Sequence, residues 1–222
     1  MKRTTETQVK ISDTTKMPCY SWSLEAVETC PGARDNNGDL VPVCSGCYAA
    51  DGFYVFEGPK GVRRYNREDW KRKEWVDDMV AELREEEYFR WFDSGDVYHP
   101  ELGRKIYAVM TNTPWCKHWL PTRSYKIERI RFWLEKMKKL PNVNVRYSAD
   151  TVDGTFDPEF HGSAVVPNLN SFDERLCRAY TRDGHCGDCR NCWDKNIPII
   201  LYPAHGRNMI ATTRKEINPE LF

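Results

Sequence analysis

The sequence predicts an α/β fold, a partial or complete β/α barrel of about six mostly parallel strands. Three observations carry that reading. Short apolar runs of strand length alternate with longer stretches whose apolar residues recur at helical spacing. Each strand-like run stops at a small polar turn. The 222 residues are 40% hydrophobic and hold no repeat, low-complexity tract or Pro/Gly/Ser-rich linker, so residues 1–222 read as a single domain with insertions. A flat doubly wound sheet is the alternative arrangement of the same elements.

Taken in order, an early strand lies around Cys19 to Leu24. Residues 66–87 place Trp75, Val76, Met79, Val80 and Leu83 on one face among many charges, which predicts an amphipathic helix. Tyr88 to Phe92 is a short aromatic strand that stops at Asp93-Ser94-Gly95-Asp96. Pro100 suits the first position of a helix and Glu101 its positive end, with Leu102, Ile106, Val109 and Met110 as the apolar stripe and Asn112 and Pro114 as the stop. Trp115 to Leu120 follows as a strand, then a helix capped by Ser124 and carrying Ile127, Ile130, Leu134 and Met137. Val143 to Tyr147 is a further strand, and Ala164–Val166 and Ile197–Tyr202 read as buried strands.

Lysine plus arginine and aspartate plus glutamate number 33 each, so the formal net charge is zero. A general polyanion coat or membrane-surface binder needs a positive field, so net charge does not indicate nucleic acid, although a local basic patch stays compatible. The run Arg63 to Glu87 reads as a solvated helix face, with Arg63, Arg64, Tyr65 and Trp70 as the residues of a nucleic-acid surface in the competing reading. No apolar run is long enough to span a membrane, and Met1 to Glu6 carries none of the apolar character of a secretion leader. A reducing compartment is therefore expected.

In such a setting nine cysteines must be read by spacing. Cys177 is followed after eight residues by Cys186, Cys189 and Cys192, two overlapping steps with two residues between cysteines. One zinc ion is served more naturally by paired hairpins, whereas three such thiolates wrap the corners of an iron–sulfur cubane. In the first quarter Cys30 precedes Cys44 by thirteen intervening residues, and Cys44 precedes Cys47 by two. The fold thus gains two cysteine-rich segments expected to bind a metallocluster, residues 25–62 and 172–194. Cys19 reads as an inward strand residue or a fourth ligand, and Cys116 as core.

The order of elements resembles a short radical S-adenosylmethionine enzyme: a strand, a three-cysteine loop, a helix, then a strand ending in a small glycine-containing turn. The Cys30–Cys44–Cys47 loop is similar to the long-spaced loops of the 7-carboxy-7-deazaguanine synthases. The resemblance implies one or two [4Fe–4S] clusters, with S-adenosylmethionine at an open iron and Ser94-Gly95-Asp96 where that family has its Gly-Gly-Glu-Pro turn. Cys30-Pro31-Gly32-Ala33, Cys44-Ser45-Gly46-Cys47-Tyr48-Ala49, Asp93-Ser94-Gly95-Asp96 and the C-terminal cysteine run resemble the phage-encoded gene product 88 domain family. That resemblance implies a phage origin, the cytoplasm of an infected host cell and a metallocluster, without naming a reaction.

Side chains just past the strands share the C-terminal edge, where ligands bind in barrels and open parallel sheets alike. Asp93, Gly95, Asp96, Ser148 and Asn168 are the candidate cofactor contacts, and Arg123, Lys126 and His205 the candidate substrate contacts. The plainer readings are an Asx turn before Pro100 for the aspartates and surface basic residues for Arg123 and Lys126. Three function classes stay open: an iron–sulfur enzyme with a small-molecule substrate, an electron-transfer or redox-sensing iron–sulfur protein with a redox partner, and a zinc-stabilised nucleic-acid-binding module.

Overall fold

The computed structural model describes residues 7–167 and 173–218. Strands β1 (Ser12–Asp13), β2 (Tyr20–Trp22), β3 (Tyr88–Trp91), β4 (Lys117–Thr122) and β5 (Val143–Tyr147) form one sheet in chain order. β1 is antiparallel to β2, and every other neighbour is parallel. Strands β6 (Ser163–Val166) and β7 (Ile200–Pro203) make a parallel pair. Beyond β5, a bridge between Ser148 and Ser163 and the bond from Gly162 N–H to the Tyr147 carbonyl (2.8 Å) set β6 beside its end.

The strand order never reverses, so the topological switch point of the doubly wound alternative is missing among the described residues. No ladder there joins β7 back to β1 or β2. On that side the second cysteine segment meets the N-terminal chain instead, with Cys186 N–H donating to the Lys16 carbonyl at 2.8 Å.

The two faces of the sheet differ because the strands alternate. Phe89 pairs with His118 and His118 with Val143, and this row, with Trp22, Trp91, Leu120, Val145 and Tyr147, is buried in the main core. Helices α3 (Trp75–Glu82), α4 (Pro100–Asn112) and α5 (Glu128–Lys138) supply its other half through Trp75, Met79, Leu102, Ile106, Met110, Leu134 and Met137. Cys116 is fully buried there, the core placement expected of it, and Cys19 is buried in a smaller cluster with Trp119 and Trp193, against which Cys186 and Cys192 pack. The opposite row holds Ser21, Arg90, Trp119 and Asn144, with Arg146 two residues further along β5.

Several boundaries differ from expectation. The helix expected over 66–87 is two: α2 (Glu57–Asp69), which starts well before it, and α3. The break falls where Lys105 of α4 donates to the carbonyls of Trp70 and Arg72, and the Arg72 guanidinium spans the gap between Asp69 and Asp78. These are tertiary contacts that local periodicity does not carry. Ser124 does not cap α5: Ser124 lies in a short 3-10 turn, and the helix begins after Ile127. Trp115 precedes β4 and is half exposed, its indole donating to the Leu83 carbonyl at 2.9 Å. Strand β1 and the last helix, α6 (Arg207–Ile217), are additions to the expected elements. Among the described residues no helix is long and apolar enough to cross a membrane.

Candidate metal and ligand site

The first cysteine loop is folded by short-range structure. Pro31–Ala33 makes a 3-10 turn after Cys30, and Pro42–Ser45 makes the single-turn helix α1 that carries Cys44. Val43 N–H donates to the Asp150 carbonyl at 3.0 Å, which pins this turn beyond the end of β5. A Cβ at Gly32 would stand 2.1 Å from the Arg123 carbonyl oxygen, so only glycine lets the loop lie against the β4 turn. Gly46 has a similar cause, since a Cβ there would come within 2.9 Å of the Met209 Cα on α6.

The second loop is held from below by the polar face of the sheet. Arg146 donates to the carbonyls of Asn191, Cys192 and Asp194, and Asn144 to those of Cys192 and Asp194. Trp193 packs edge-on against Trp119 and donates its indole N–H to the Phe89 carbonyl at 3.0 Å. Cys177 N–H donates to the Leu201 carbonyl, which sets Cys177 beside β7.

The two loops meet at a cavity of about 600 Å³ lined by Cys44 and Cys47 from the first and by Cys177, Cys186 and Cys192 from the second. Cys30 and Cys189 are half-buried and stand off this lining. Burial pushes the Cys30, Cys44 and Cys186 thiols up and lifts Cys192 to about 11, partly relieved for Cys192 by the Tyr202 hydroxyl 3.3 Å from its sulfur. Among the described residues no group of three or more His, Cys, Asp or Glu stands close enough to hold a metal ion.

Both cysteine groups fall within residues 1–195, over which the chain matches a family model described as Gene product 88. The chain belongs to the gene product 88 family. No curated protein and no solved structure matches it.

Around this cavity of the gene product 88 chain the strand-end residues divide into two sets. Asp93 lines it, its carboxylate taking the Ser23 hydroxyl and the Tyr54 hydroxyl (3.2 Å). Ser148 lines it too, bonded through its hydroxyl to Ser163 at 3.0 Å. His205 lines it with Tyr180: Nδ1 faces the Pro203 carbonyl at 3.1 Å, so the proton belongs on Nδ1 and Nε2 accepts the Tyr180 hydroxyl at 2.6 Å. Arg123 lines the wall but spends its guanidinium on the Ala149 carbonyl and Asp150.

The other set is turned into the framework. Asp96 is buried and accepts from Val97 N–H (2.7 Å), the Thr122 hydroxyl (2.6 Å), Arg123 N–H (2.8 Å) and Ser124 N–H (3.2 Å). Burial raises its carboxyl, and those four donors pull it back. It thereby supplies the turn bonds that the Ser124 side chain does not. Gly95 has φ +77°, and a Cβ would meet Leu24 Cβ at 2.6 Å, so it is a packing glycine. Lys126 bonds the Gly32 carbonyl and Asp150, tying the first cysteine loop to β5. Asn168 lies outside the described residues.

Among the lining residues not singled out from the sequence as ligand contacts are Lys16, Arg90, Trp119, Tyr180 and Tyr202, and Arg63 was named only for a nucleic-acid surface. The available signal was the arginine between Phe89 and Trp91, whose alternation puts Arg90 on the row of Trp119.

Proposed function

We propose that this chain is an iron–sulfur protein, binding a [4Fe–4S] cluster through cysteines of both loops at the mouth of a partial β/α barrel. The observation that supports it is the convergence of Cys44 and Cys47 with Cys177, Cys186 and Cys192 on one cavity, although some 130 residues separate the two groups in the chain. An all-thiol donor set is soft, which suits iron–sulfur ligation. When bound, such a cluster supplies one-electron transfer. Ligation requires the thiols to draw closer together than they stand in this structure and to give up the protons that burial makes them keep.

The chain's own residues prepare the site. Lys16, Arg90 and Arg123 place positive charge along a wall where thiolate charge would gather. Tyr202 stands ready to donate to Cys192. Asp93 past β3, Ser148 past β5, Ser163 at the start of β6 and His205 past β7 line the same cavity, which supports a small-molecule site beside such a cluster, as in a radical-SAM-like enzyme. A closed electron-transfer cluster is the second reading, favoured because five cavity cysteines are enough for a complete set of four.

Anaerobic purification with iron and sulfide analysis and a visible spectrum tests the first claim. Brown protein with a broad absorption band is expected, and colourless protein carrying zinc or no metal would overturn it. Reduction with S-adenosylmethionine present then separates the two readings: 5′-deoxyadenosine marks the enzyme, and its absence from reduced, fully loaded protein marks the closed cluster.

A further inference from the structure

The cavity is positively charged in a chain of zero net charge. Four cations line it, Lys16, Arg63, Arg90 and Arg123, against the two carboxylates Asp13 and Asp93. Asp93 is engaged by Ser23 and Tyr54, and Asp13 is exposed. Arg123 is neutralised by Asp150, but among the described residues no ion pair joins Arg63 or Arg90 to a carboxylate. Arg90 has a long bond to the Tyr48 hydroxyl (3.5 Å), a contact to the Met17 sulfur (3.8 Å) and the Trp119 ring beneath it, 4.7 Å away, and it feels the charge of Asp93 without an ion-pair contact. Arg63 donates to the Tyr54 carbonyl and lies over the Tyr54 ring at 4.4 Å.

Among the described residues, three nitrogens of lining side chains are buried without a hydrogen-bond partner: Nε of Arg63, Nε of Arg90 and Nε1 of Trp119, each set back from the open space of the cavity. Each is a donor that cannot accept. Leaving one such group unmet costs on the order of 1–3 kcal/mol, so an acceptor that entered the cavity would gain by drawing these side chains towards it. A guanidinium with no carboxylate in ion-pair contact keeps its fork free to match the two oxygens of a carboxylate or phosphate.

We infer that the cavity takes a small organic anion, a molecule bearing a carboxylate or phosphate group, received by Arg90 and Arg63 with the Trp119 indole N–H beside them. This deepens the proposed function by naming a ligand class for the same cavity, and it rests on that cavity being the working site but not on the metal. A cysteine-bound cluster is also an anion, so the test must tell the two apart.

Inorganic phosphate and succinate serve as probes, titrated by calorimetry and tryptophan fluorescence into the full chain purified anaerobically, with iron measured in every sample. Saturable binding of at least one probe is expected. Arg90→Gln weakens it about tenfold or more, Arg63→Gln by a smaller factor, and Arg90→Lys restores part of the loss. Arg67→Gln, on the outer groove where Arg67 pairs with Glu25 and Glu28, leaves it unchanged. Should Arg90→Gln fail to fold, by near-ultraviolet circular dichroism, Arg63→Gln and Arg90→Lys carry the comparison. The inference is overturned by no saturable binding of either probe, or by Arg90→Gln binding like the parent. Loss of iron in Arg90→Gln with unchanged probe binding also overturns it, assigning the charge to the cluster instead. Probe binding that survives in iron-free protein supports the inference even where the cluster fails to form.

Discussion

The Nε of Arg146 donates to the carbonyl of Cys192 at 3.2 Å, a bond that ties the fifth strand directly to the second cysteine loop. The same guanidinium reaches the carbonyls of Asn191, Asp194, Gly162 and Pro198, while the residue is only 2% exposed. Its partners are all neutral backbone acceptors, so its work is to hold chain rather than to balance a carboxylate.

Arg146→Met should therefore keep the hydrophobic stem and strand several buried carbonyls. A loss of about 3 kcal/mol is expected, which for a chain of this length lowers the unfolding temperature by roughly 6–12 °C. Hydrogen exchange should rise across residues 186–194, and metal content should fall with it. An unchanged melting temperature and unchanged exchange would show that the loop is held by Trp193 packing alone.

Asp93 and Asp96 stand three residues apart and should separate cleanly. In Asp96→Asn the amide nitrogen must face two of the four donors that the carboxylate now accepts. That costs about 2–4 kcal/mol, read as a lower midpoint in urea with an unchanged slope. Asp93→Asn keeps an oxygen for the tyrosine or serine partner and should shift stability by less than about 1 kcal/mol. Because Asp93 lines the cavity, its neutralisation should instead tighten phosphate binding several-fold. Equal destabilisation by both variants would contradict this division.

His118 gives the fold an acid limit. It is fully buried, Nδ1 accepting the Trp91 indole N–H at 3.2 Å and Nε2 donating to the Thr113 hydroxyl at 2.9 Å. Burial lowers its pKa from 6.5 to about 3, so between those values the unfolded chain binds a proton that the folded chain refuses. Stability from this group is full above pH 6.5 and is lost as pH falls through that window, by at most about 1.4 kcal/mol per pH unit. Unfolding free energies from pH 7 to 4.5 should fall more steeply for the parent than for His118→Gln. Parallel curves would mean that the unfolded and folded chains protonate alike.

Strands β3 and β5 were legible because one alternating row is strongly apolar, and the cysteine loops because cysteine spacing is read locally. The Trp70–Glu74 break was not, since Lys105 enforces it from another helix. Helix α6 buries only Met209 and Thr213, too little to print an apolar stripe. Arg90 was hidden for a different reason. A charged residue between Phe89 and Trp91 looks like the outer face of a half-covered strand, and the segments that cover that row, Met17, the Tyr48 turn and residues 186–194, make it an inner wall. Lys126 and Asp96 were legible as polar residues at the right edge, but their partners, Gly32 and the β4 turn, come from distant segments.

Gly46 joins the first cysteine loop to that least legible helix. A Cβ there would stand 2.9 Å from both the Met209 Cα and the Thr212 hydroxyl, and a backbone atom cannot swing aside. Gly46→Ala must therefore lift α6 away from the turn between Cys44 and Cys47, at a cost of about 1–3 kcal/mol. Because α6 also closes on the loop through Asn208, which donates to Asp51 at 2.8 Å, the lift should loosen both ends of the contact. Faster amide exchange is expected in α6 and in residues 44–51, with the strands and α3 to α5 unchanged. Iron content in anaerobically purified Gly46→Ala should drop if Cys44 and Cys47 are ligands held in place by this packing. Gly58→Ala, where a Cβ meets nothing within 4 Å, is the control and should match the parent in both measurements.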